Sequence, residues 1–353
     1  MEDRLSWLIF GAGAIGTYVG GSLMLQGQKV VFLELTEAAS EILDRGLRLN
    51  IHGQEHRILH PEMCSSIADA ISRSSYDVAI FALKAYDTRP VLELISPYVE
   101  QLPPVLCLQN GVENEETLEL VLGKSKVIPG TVTSSVVRRA VGDILLERKR
   151  GMGVLGGLPL SNQIAHTLSN AGLNAHLYSS SPAMKWSKMI TNLAGNASSA
   201  ILDMTPAEIL SHPGLYELEV AQLREAISVM HAHQIEIIDL PATPIRAFAW
   251  LVWNLQPRFS RPLVSKLAGK GRGRKMPSFH IDLYSGRGKS EVDYINGAIV
   301  RFGERMGIPT PVNRWMNQTL LKLTQGGLPL EEYAHEPDKY IRAVNTFVAE
   351  NKQ

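Results

Sequence analysis

The sequence predicts a two-domain chain in which an α/β domain with parallel strands, residues 1–178, is followed by a mostly helical domain, residues 183–353. Three observations lead to this fold class. The 353 residues exceed the roughly 250–300 at which a single hydrophobic core stops growing. The first half alternates short apolar runs with helical patterns, and from about Ser179 the apolar residues recur at helical spacing.

Four short apolar runs predict the parallel strands, because each is followed by a turn or a helix signal. They are Trp7 to Phe10, Lys29 to Leu33, Asp77 to Leu83 and Val105 to Leu108. The alternating stretches Leu47 to Leu59 and Val132 to Leu155 predict hairpins at the sheet edge. Ser179-Ser180-Ser181-Pro182 predicts a linker, and the span from Arg258 to Lys275, with seven basic and no acidic residues, predicts an exposed loop.

Composition limits the classes of partner. Lys and Arg total 35, as do Asp and Glu, so there is no net basic field for nucleic acid or an anionic membrane. The N-terminal apolar run is too short and its charge order is wrong for a signal peptide, so none is expected, and no 18 uncharged apolar residues follow one another. Two cysteines are too few for a disulfide scaffold. We therefore expect a soluble cytoplasmic protein with a small-molecule substrate and no nucleic-acid or membrane partner.

No metal site is expected. His52, His56 and His60 are spaced by four residues, but they lie in a stretch predicted as strand or loop, where this spacing gives no shared face.

A glycine-rich turn, GAGAIG at 11–16, follows the first strand and opens a helix. Gly11 permits the tight turn, Gly13 lets the backbone approach a pyrophosphate, and Gly16 lets the helix pack on the sheet. In this context the turn predicts a dinucleotide-binding Rossmann domain. The candidate cofactor contacts in it are Gly11, Gly13, Ala14, Ile15 and Gly16.

Glu34 ends the second strand, close to the 20-residue spacing at which an acidic side chain binds the ribose. Its carboxylate accepts hydrogen bonds from ribose hydroxyls and would repel a 2′-phosphate, which favours NAD over NADP. The alternative is that Glu34 points to solvent while Arg45 or Arg48 is recruited to a phosphate.

Two polar residues follow predicted strands directly. Lys84 comes after Leu83, and Asn110 lies in the Gln109-Asn110-Gly111 segment after Leu108. Ligands of open α/β sheets bind beyond the carboxyl ends of the strands, so both residues are candidates for the cofactor crevice. A solvated loop lysine and the turn geometry of Asn-Gly are the alternatives.

The stretch from Met184 to Leu202 predicts one helix on which Lys188, Asn192 and Asn196 recur every fourth residue and line one narrow stripe. One cation and two amides suit the orientation of a polar ligand. A solvated face of an ordinary amphipathic helix is the alternative.

A further helix is predicted to start at Ser290, with Ser290 as N-cap and Asp293 at the capping-box position. Glu291 lies in the same first turn. It is either a functional carboxylate or simply a favourable charge at a helix N-terminus.

Six segments together resemble the ketopantoate reductases (2-dehydropantoate 2-reductases). They lie in order across both predicted domains, over about 300 residues. The segments are GAGAIG at 11–16, LKAYDT at 83–88, LQNGVEN at 108–114, KWSKMITNLAGN at 185–196, PSFHIDL at 277–283 and SEVDYINGAIVRFGERMGIPTPVN at 290–313.

This resemblance implies a Rossmann domain, an all-helical domain and an active site in the cleft between them. It also implies an NAD(P)-dependent oxidoreductase that reduces 2-dehydropantoate to pantoate in pantothenate and coenzyme A biosynthesis. By matching position, Lys188 is the general acid and Glu291 a catalytic substrate-site glutamate. The substrate contacts that the resemblance implies are Asn110, Asn192, Asn196 and Ser278. Lys84, Asn110 and Glu291 match positions near the cofactor.

Three features depart from the family pattern. Leu35 replaces the arginine that holds the 2′-phosphate in many members, so the family favours NADP where Glu34 favours NAD. The spacing from Asp282 to Glu291 is one residue longer than is common. The segment before Ser278 is also longer and could reshape the substrate mouth or join a subunit interface, which leaves a homodimer open.

Two other functions are compatible with the same residues. One is a related NAD-dependent D-2-hydroxy-acid dehydrogenase for a bulkier 2-oxo acid, which Glu34 favours. The other is a dinucleotide-sensing protein without turnover, against which the presence of both Lys188 and Glu291 argues.

Overall fold

The computed structural model describes residues 4–269 and 275–351. The chain forms two compact units. The first ends at Lys185 and also includes Leu240–Thr243, while the second comprises Trp186–Asp239 and resumes at Pro244. The first is a mixed α/β unit and the second is helical, which confirms the predicted fold class. In the described ranges, no helix has the length and hydropathy needed to span a membrane.

The first unit contains all the named strands of the described chain. They are β1 (Ser6–Phe10), β2 (Lys29–Leu33), β3 (Leu47–Ile51), β4 (Gln54–Ile58), β5 (Glu62–Cys64), β6 (Val78–Phe81), β7 (Val105–Cys107), β8 (Val127–Val132), β9 (Ser135–Ala140), β10 (Asp143–Arg148), β11 (Met152–Leu155) and β12 (Ala175–Tyr178).

Helices cover the remaining regular structure. Those before the unit boundary are α1 (Ala14–Leu25), α2 (Thr36–Arg45), α3 (Ile67–Arg73), α4 (Thr88–Ile95), α5 (Asn114–Leu122) and α6 (Ser161–Asn170). They are followed by α7 (Ser181–Leu193), α8 (Ala197–Leu202), α9 (Pro206–Ser211), α10 (Pro213–Ala232), α11 (Ile245–Asn254), α12 (Pro257–Gly269), α13 (Ser278–Tyr284), α14 (Val292–Met306), α15 (Pro311–Thr324) and α16 (Pro337–Glu350).

The main sheet has the strand order β12-β11-β8-β7-β6-β1-β2-β5. Its pairings are parallel except for β8 with β11, which is antiparallel. Every residue of β6 and β7 is buried, because helices cover both faces of a doubly wound sheet. The four predicted strands are therefore confirmed, and β1 lies between β2 and β6.

The predicted edge hairpins are wrong in their placement. The hairpins β3–β4 and β9–β10 form a second sheet with the order β4-β3-β10-β9, in which β3 pairs in parallel with β10. Met152–Leu155, at the end of the second predicted stretch, lies in the main sheet, as β11. Leu49 and Ile144 of this sheet are fully buried, and β3, β9 and β10 pack against α1. The apolar face of each hairpin is covered by that helix, which an edge position on the main sheet would not provide.

The predicted linker is also corrected. Ser181 and Pro182 are the first residues of α7, because the Ser180 hydroxyl accepts a hydrogen bond from the Ala183 N–H at 3.2 Å and proline suits the first turn of a helix.

The predicted exposed loop after Arg258 is wrong as far as Gly269, since Pro257–Gly269 is α12. Its Ser260 is fully buried and accepts a hydrogen bond from the Tyr216 hydroxyl at 2.8 Å, and Val264 is buried too. These buried residues anchor α12 to the rest of the unit, and the basic composition of the segment gave no indication of a helix. Residues 270–274 of the predicted loop lie outside the described residues.

Glu225 on α10 binds the start of α15. Its carboxylate accepts hydrogen bonds from the N–H groups of Val312 at 2.8 Å and Asn313 at 2.9 Å. Burial raises the pKa of Glu225 to about 7 although these hydrogen bonds lower it. The Glu225 carboxyl therefore binds its proton more tightly in the folded protein than in the unfolded chain.

We accordingly expect Glu225 to make the free energy of unfolding fall as the pH rises from about 4.5 to about 7. The size of the effect is on the order of 2–3 kcal/mol. Urea denaturation between pH 5 and pH 8 tests this, with Glu225→Gln as the comparison. The variant is less stable throughout, because its amide NH₂ cannot accept, but its pH slope is flatter. Equal slopes in the two proteins would contradict the prediction.

Candidate functional site

The N-terminus of α1 is open to an anion. Gly13 is its N-cap, no side chain caps it, and no acidic residue occupies its first turn. Its first N–H groups therefore carry the partial positive charge of a helix N-terminus without a side-chain acceptor. Such an end suits a pyrophosphate.

The three glycines of the turn have different surroundings. Gly11 has φ +89°, which favours glycine, and a Cβ at Gly16 would collide with the main-chain oxygen of Gly11. A Cβ at Gly13 would meet no atom within 4 Å. Gly13, Ala14 and Ile15 are also partly exposed. The turn thus packs tightly on the strand side and leaves room at Gly13, which fits a dinucleotide phosphate.

Glu34 points at this turn rather than at solvent. One carboxylate oxygen accepts a hydrogen bond from the Ala12 N–H at 2.6 Å, and the other accepts from its own neighbour, the Leu35 N–H, at 3.0 Å. Arg45 is engaged elsewhere, with Glu41 at 2.6 Å and with the Val141 carbonyl. A carboxylate therefore lies beside the glycine turn, which contradicts the alternative in which Glu34 points to solvent and Arg45 or Arg48 is recruited.

Gln109 links the two loops that carry Lys84 and Asn110. Its side-chain amide donates to the Thr88 hydroxyl at 2.8 Å and to the Leu83 carbonyl at 3.2 Å. Sequence reasoning missed this role. The only indication in the sequence was a glutamine directly after a strand predicted to be buried. Gln109 is 3% exposed in the structure, and a buried side-chain amide needs hydrogen-bond partners.

In the second unit the structure brings three predicted residues together. The Asn196 side-chain amide donates to the main-chain oxygen of Asn192 at 3.0 Å and lies 3.5 Å from the Ser278 hydroxyl. Its oxygen accepts from the Phe279 N–H at 3.1 Å. Lys188 is one helical turn before Asn192 on α7 and is partly exposed. Ser278 is the first residue of α13, which packs on α8.

The single predicted helix over 184–202 is wrong, because α7 ends at Leu193 and α8 begins at Ala197. Gly195 has φ +67°, so the chain turns there. The Lys188 and Asn192 stripe is retained, but Asn196 belongs to the break and not to the stripe.

Glu219 on α10 holds this break, and sequence reasoning did not find it. It is 1% exposed, and its carboxylate accepts from the Gly195 N–H at 2.7 Å, from Gln222 at 2.6 Å and from the Ser198 hydroxyl. Burial raises the pKa of the Glu219 carboxyl, and these hydrogen bonds oppose the shift.

Glu291 is the N-cap of α14 and is 1% exposed. The prediction of Ser290 as N-cap is therefore wrong by one residue, although its hydroxyl accepts a hydrogen bond from the Val292 N–H at 3.2 Å. The predicted capping box with Asp293 is wrong too. Asp293 instead pairs with Arg301 at 3.2 Å and accepts from Asn317 at 3.0 Å. Carboxylates that only stabilise a helix N-terminus are usually exposed, so the burial of Glu291 favours a functional role over that alternative.

Within the described ranges, no group of three or more His, Cys, Asp or Glu side chains has the geometry to hold a metal ion. His56 lies on β4, with His52 in the turn before it and His60 after it.

Comparisons with known proteins cover both units. Residues 7–159 match the family described as ketopantoate reductase PanE/ApbA, and residues 182–324 match its C-terminal family. The 2-dehydropantoate 2-reductase of Archaeoglobus fulgidus is 30% identical over 90% of this chain and 96% of its own length. That of Lactococcus lactis is 26% identical over 88% of this chain and 95% of its own.

Solved structures share the fold. A PanE/ApbA family ketopantoate reductase from Ralstonia eutropha has a TM-score of 0.76 at 24% identity, covering 91% of this chain and 99% of that one. A D-mandelate dehydrogenase with NADH and anilino(oxo)acetate has a TM-score of 0.74 at 23% identity, covering 91% and 98%.

Two glycine variants should distinguish the position that leaves space for a ligand, Gly13, from the position that is needed for packing, Gly16. Gly13→Ala should keep the melting temperature within about 2–4 °C of the wild type yet weaken dinucleotide binding at least about tenfold, because its methyl group enters the open space. Gly16→Ala should lower the melting temperature by more, because its methyl group meets the Gly11 oxygen. Thermal melts with dinucleotide titrations measure both. Unchanged binding in Gly13→Ala would refute the assignment of that space.

Proposed function

The chain belongs to the ketopantoate reductase family, and on that premise we propose that it reduces 2-dehydropantoate to pantoate with a nicotinamide cofactor. Relatives that match about 90% of the chain are named 2-dehydropantoate 2-reductases. The observation that carries the proposal is the cluster of Asn192, Asn196 and Ser278, of which Asn192 lies one helical turn after Lys188. It supplies amides, a hydroxyl and a cation for a polar 2-oxo acid.

The cofactor is assigned to the first unit. Gly11, Gly13 and Gly16 form the turn, with Ala14 and Ile15 at the start of α1 and Glu34 beside them. Lys84 and Asn110 follow strands β6 and β7 and are the further candidate contacts in this unit. When bound, the nicotinamide supplies the hydride.

Lys188 is proposed as the general acid. Reduction at the carbonyl carbon leaves negative charge on the carbonyl oxygen, so a cation that donates a proton to this oxygen stabilises the transition state. A positioned proton donor contributes about 10²–10⁴ to a rate.

The other predicted residues bind and orient the substrate. The amides of Asn192 and Asn196 and the hydroxyl of Ser278 hold the carboxylate and limit its rotation. Glu291 accepts a substrate hydroxyl or orients Lys188, and Asn110 orients the carbonyl. The hydrogen bonds of Asn196 link it to Asn192 and Ser278, which supports a shared role of these three residues in substrate binding.

We assign NADH as the preferred cofactor. The Glu34 carboxylate is 2.6 Å from the Ala12 N–H, so its charge lies at the glycine turn, where a 2′-phosphate meets like-charge repulsion. Leu35, 77% exposed, offers no positive charge in compensation. The same observation favours the alternative function, a D-2-hydroxy-acid dehydrogenase that uses NADH on a bulkier substrate.

A cytoplasmic location in pantothenate biosynthesis fits the chemistry of the chain. Both cysteines, Cys64 and Cys107, are buried and free, as expected in a reducing compartment. A homodimer stays a prediction.

The cofactor assignment predicts a lower Kd for NADH than for NADPH in fluorescence titrations. Glu34→Gln should narrow the difference by removing the charge while keeping an oxygen for the Ala12 N–H. Glu34→Ala should narrow it too, with weaker NADH binding. A tenfold or greater preference of the wild type for NADPH would show that the interpretation of Glu34 is wrong.

Steady-state reduction of a panel of 2-oxo acids that includes 2-dehydropantoate tests the function. Lys188→Ala should lower kcat by about 10²–10⁴ and leave the NADH Kd nearly unchanged, because the cofactor is assigned to the first unit. Lys322→Ala, at an exposed lysine of α15, is the matched control and should behave as wild type. Turnover by Lys188→Ala within threefold of the wild type would disprove the role of Lys188.

A further inference from the structure

Lys185 is a buried cation in the first unit that the mechanism above does not use. Its side chain is 4% exposed, and its ammonium nitrogen contacts three oxygens. These are the carbonyl oxygen of Gln109 at 2.7 Å, the carbonyl oxygen of Gly130 at 3.2 Å and the carboxylate of Glu115 at 2.7 Å. The two carbonyl contacts are hydrogen bonds and the third is an ion pair.

The pair with Glu115 keeps the ammonium charged. Burial lowers the pKa of Lys185, but the nearby Glu115 carboxylate and the Cys107 sulfur raise it, and the pKa lies above its ordinary value. Glu115 is itself buried. Two buried opposite charges are tolerated only with close contact and further hydrogen bonds, and both conditions are met here.

Two of the three contacts enclose one loop, and the third is with Gly130 on β8. Gln109 lies where the chain leaves β7, and Glu115 lies in the first turn of α5, so Lys185 binds both ends of the segment that contains Asn110. Inside the segment, the Asn114 amide donates to the Asn110 carbonyl at 2.6 Å. Gly111, with φ +93°, makes the turn.

The same contacts extend to Lys84. The carbonyl of Gln109 is held by Lys185, while its side chain donates to Leu83 and Thr88 on either side of the loop that contains Lys84. Movement of Gln109 would therefore displace both loops.

We propose that Lys185, paired with Glu115, is a positioning residue that holds the loop of Asn110 in its reactive place and acts on the reaction mainly through Asn110. This inference rests on the proposed function, since Asn110 is there the residue that orients the carbonyl. Neither Lys185 nor Glu115 touches substrate. Their effect is on the rate at which bound substrate reacts rather than on its capture.

The first experiment measures the loop itself. Lys185→Met/Glu115→Gln removes both charges together, so neither is left buried without its partner. Hydrogen–deuterium exchange should become at least about tenfold faster at the amides of residues 109–115 in this double variant, and stay unchanged at the glycine turn. Equal exchange at 109–115 in the two proteins would overturn the proposal, whatever the enzyme turns over.

The second experiment is a thermodynamic mutant cycle that compares the kcat of the Lys185→Met/Glu115→Gln variant, of Asn110→Ala and of their combination. The double variant should lower kcat by about 10–10² with KM changed less than threefold, and Asn110→Ala should give a loss of similar size. Combining the two should cost no more than Asn110→Ala alone, because both act on the same side chain. Losses that multiply would show that Lys185 acts elsewhere, for example through Lys188, and would overturn the proposal.

Leu168→Ala is the control for stability alone. Leu168 is fully buried on α6 in the same unit, so its truncation should lower the melting temperature at least as much as the double variant while leaving kcat within twofold. A similar loss of kcat in Leu168→Ala would reduce the effect of Lys185 to general destabilisation and refute the positioning role. If the wild type reduces no 2-oxo acid, the proposed function fails, and the exchange data alone still decide whether Lys185 holds the loop.

Discussion

The close packing of α1 is the constraint on which the rest of the first unit depends. A Cβ at Gly20 would approach Phe32 of the main sheet to 2.5 Å, and one at Gly21 would approach Leu49 of the second sheet to 2.6 Å. The helix thus fits between two sheets only because these positions lack side chains. The second sheet also reaches the glycine turn, where the Gly142 N–H donates to the Ala12 carbonyl at 3.0 Å. Packing and the open helix N-terminus are therefore set together.

Buried charges support the polar residues in both units. In the first, Lys185 binds the ends of the Asn110 loop, and in the second, Glu219 binds the Gly195 N–H at the break before Asn196. Each of these two buried ionisable groups has several close polar partners, as burial of such a group requires. Side chains proposed to touch substrate are thus held by groups that are buried away from solvent. These buried contacts leave the supported side chains little freedom to move, as is needed for residues that orient a reacting carbonyl.

Much of the fold followed from local pattern. Four apolar runs located the central strands, and the glycine turn located the start of α1, because these signals depend on neighbouring residues alone. The break at Gly195 was missed, since a glycine within a helical pattern is usually tolerated and the acceptor that favours the break, Glu219, is 24 residues away. The capping box at Asp293 failed for a similar reason, because Arg301 and Asn317 compete for its carboxylate.

Periodicity and motif spacing, which are local properties of the chain, were enough to predict the fold class, the family and the residue types of the candidate site. The packing of the hairpins, the contact of Glu34 with Ala12 and the burial of Lys185 on Gln109 and Glu115 depend instead on the folded chain. Lys185 and Lys188 are both lysines on one helix, three residues apart, and their spacing says nothing of which is buried. Burial and partnership depend on groups that are distant in sequence and meet only when the chain has folded.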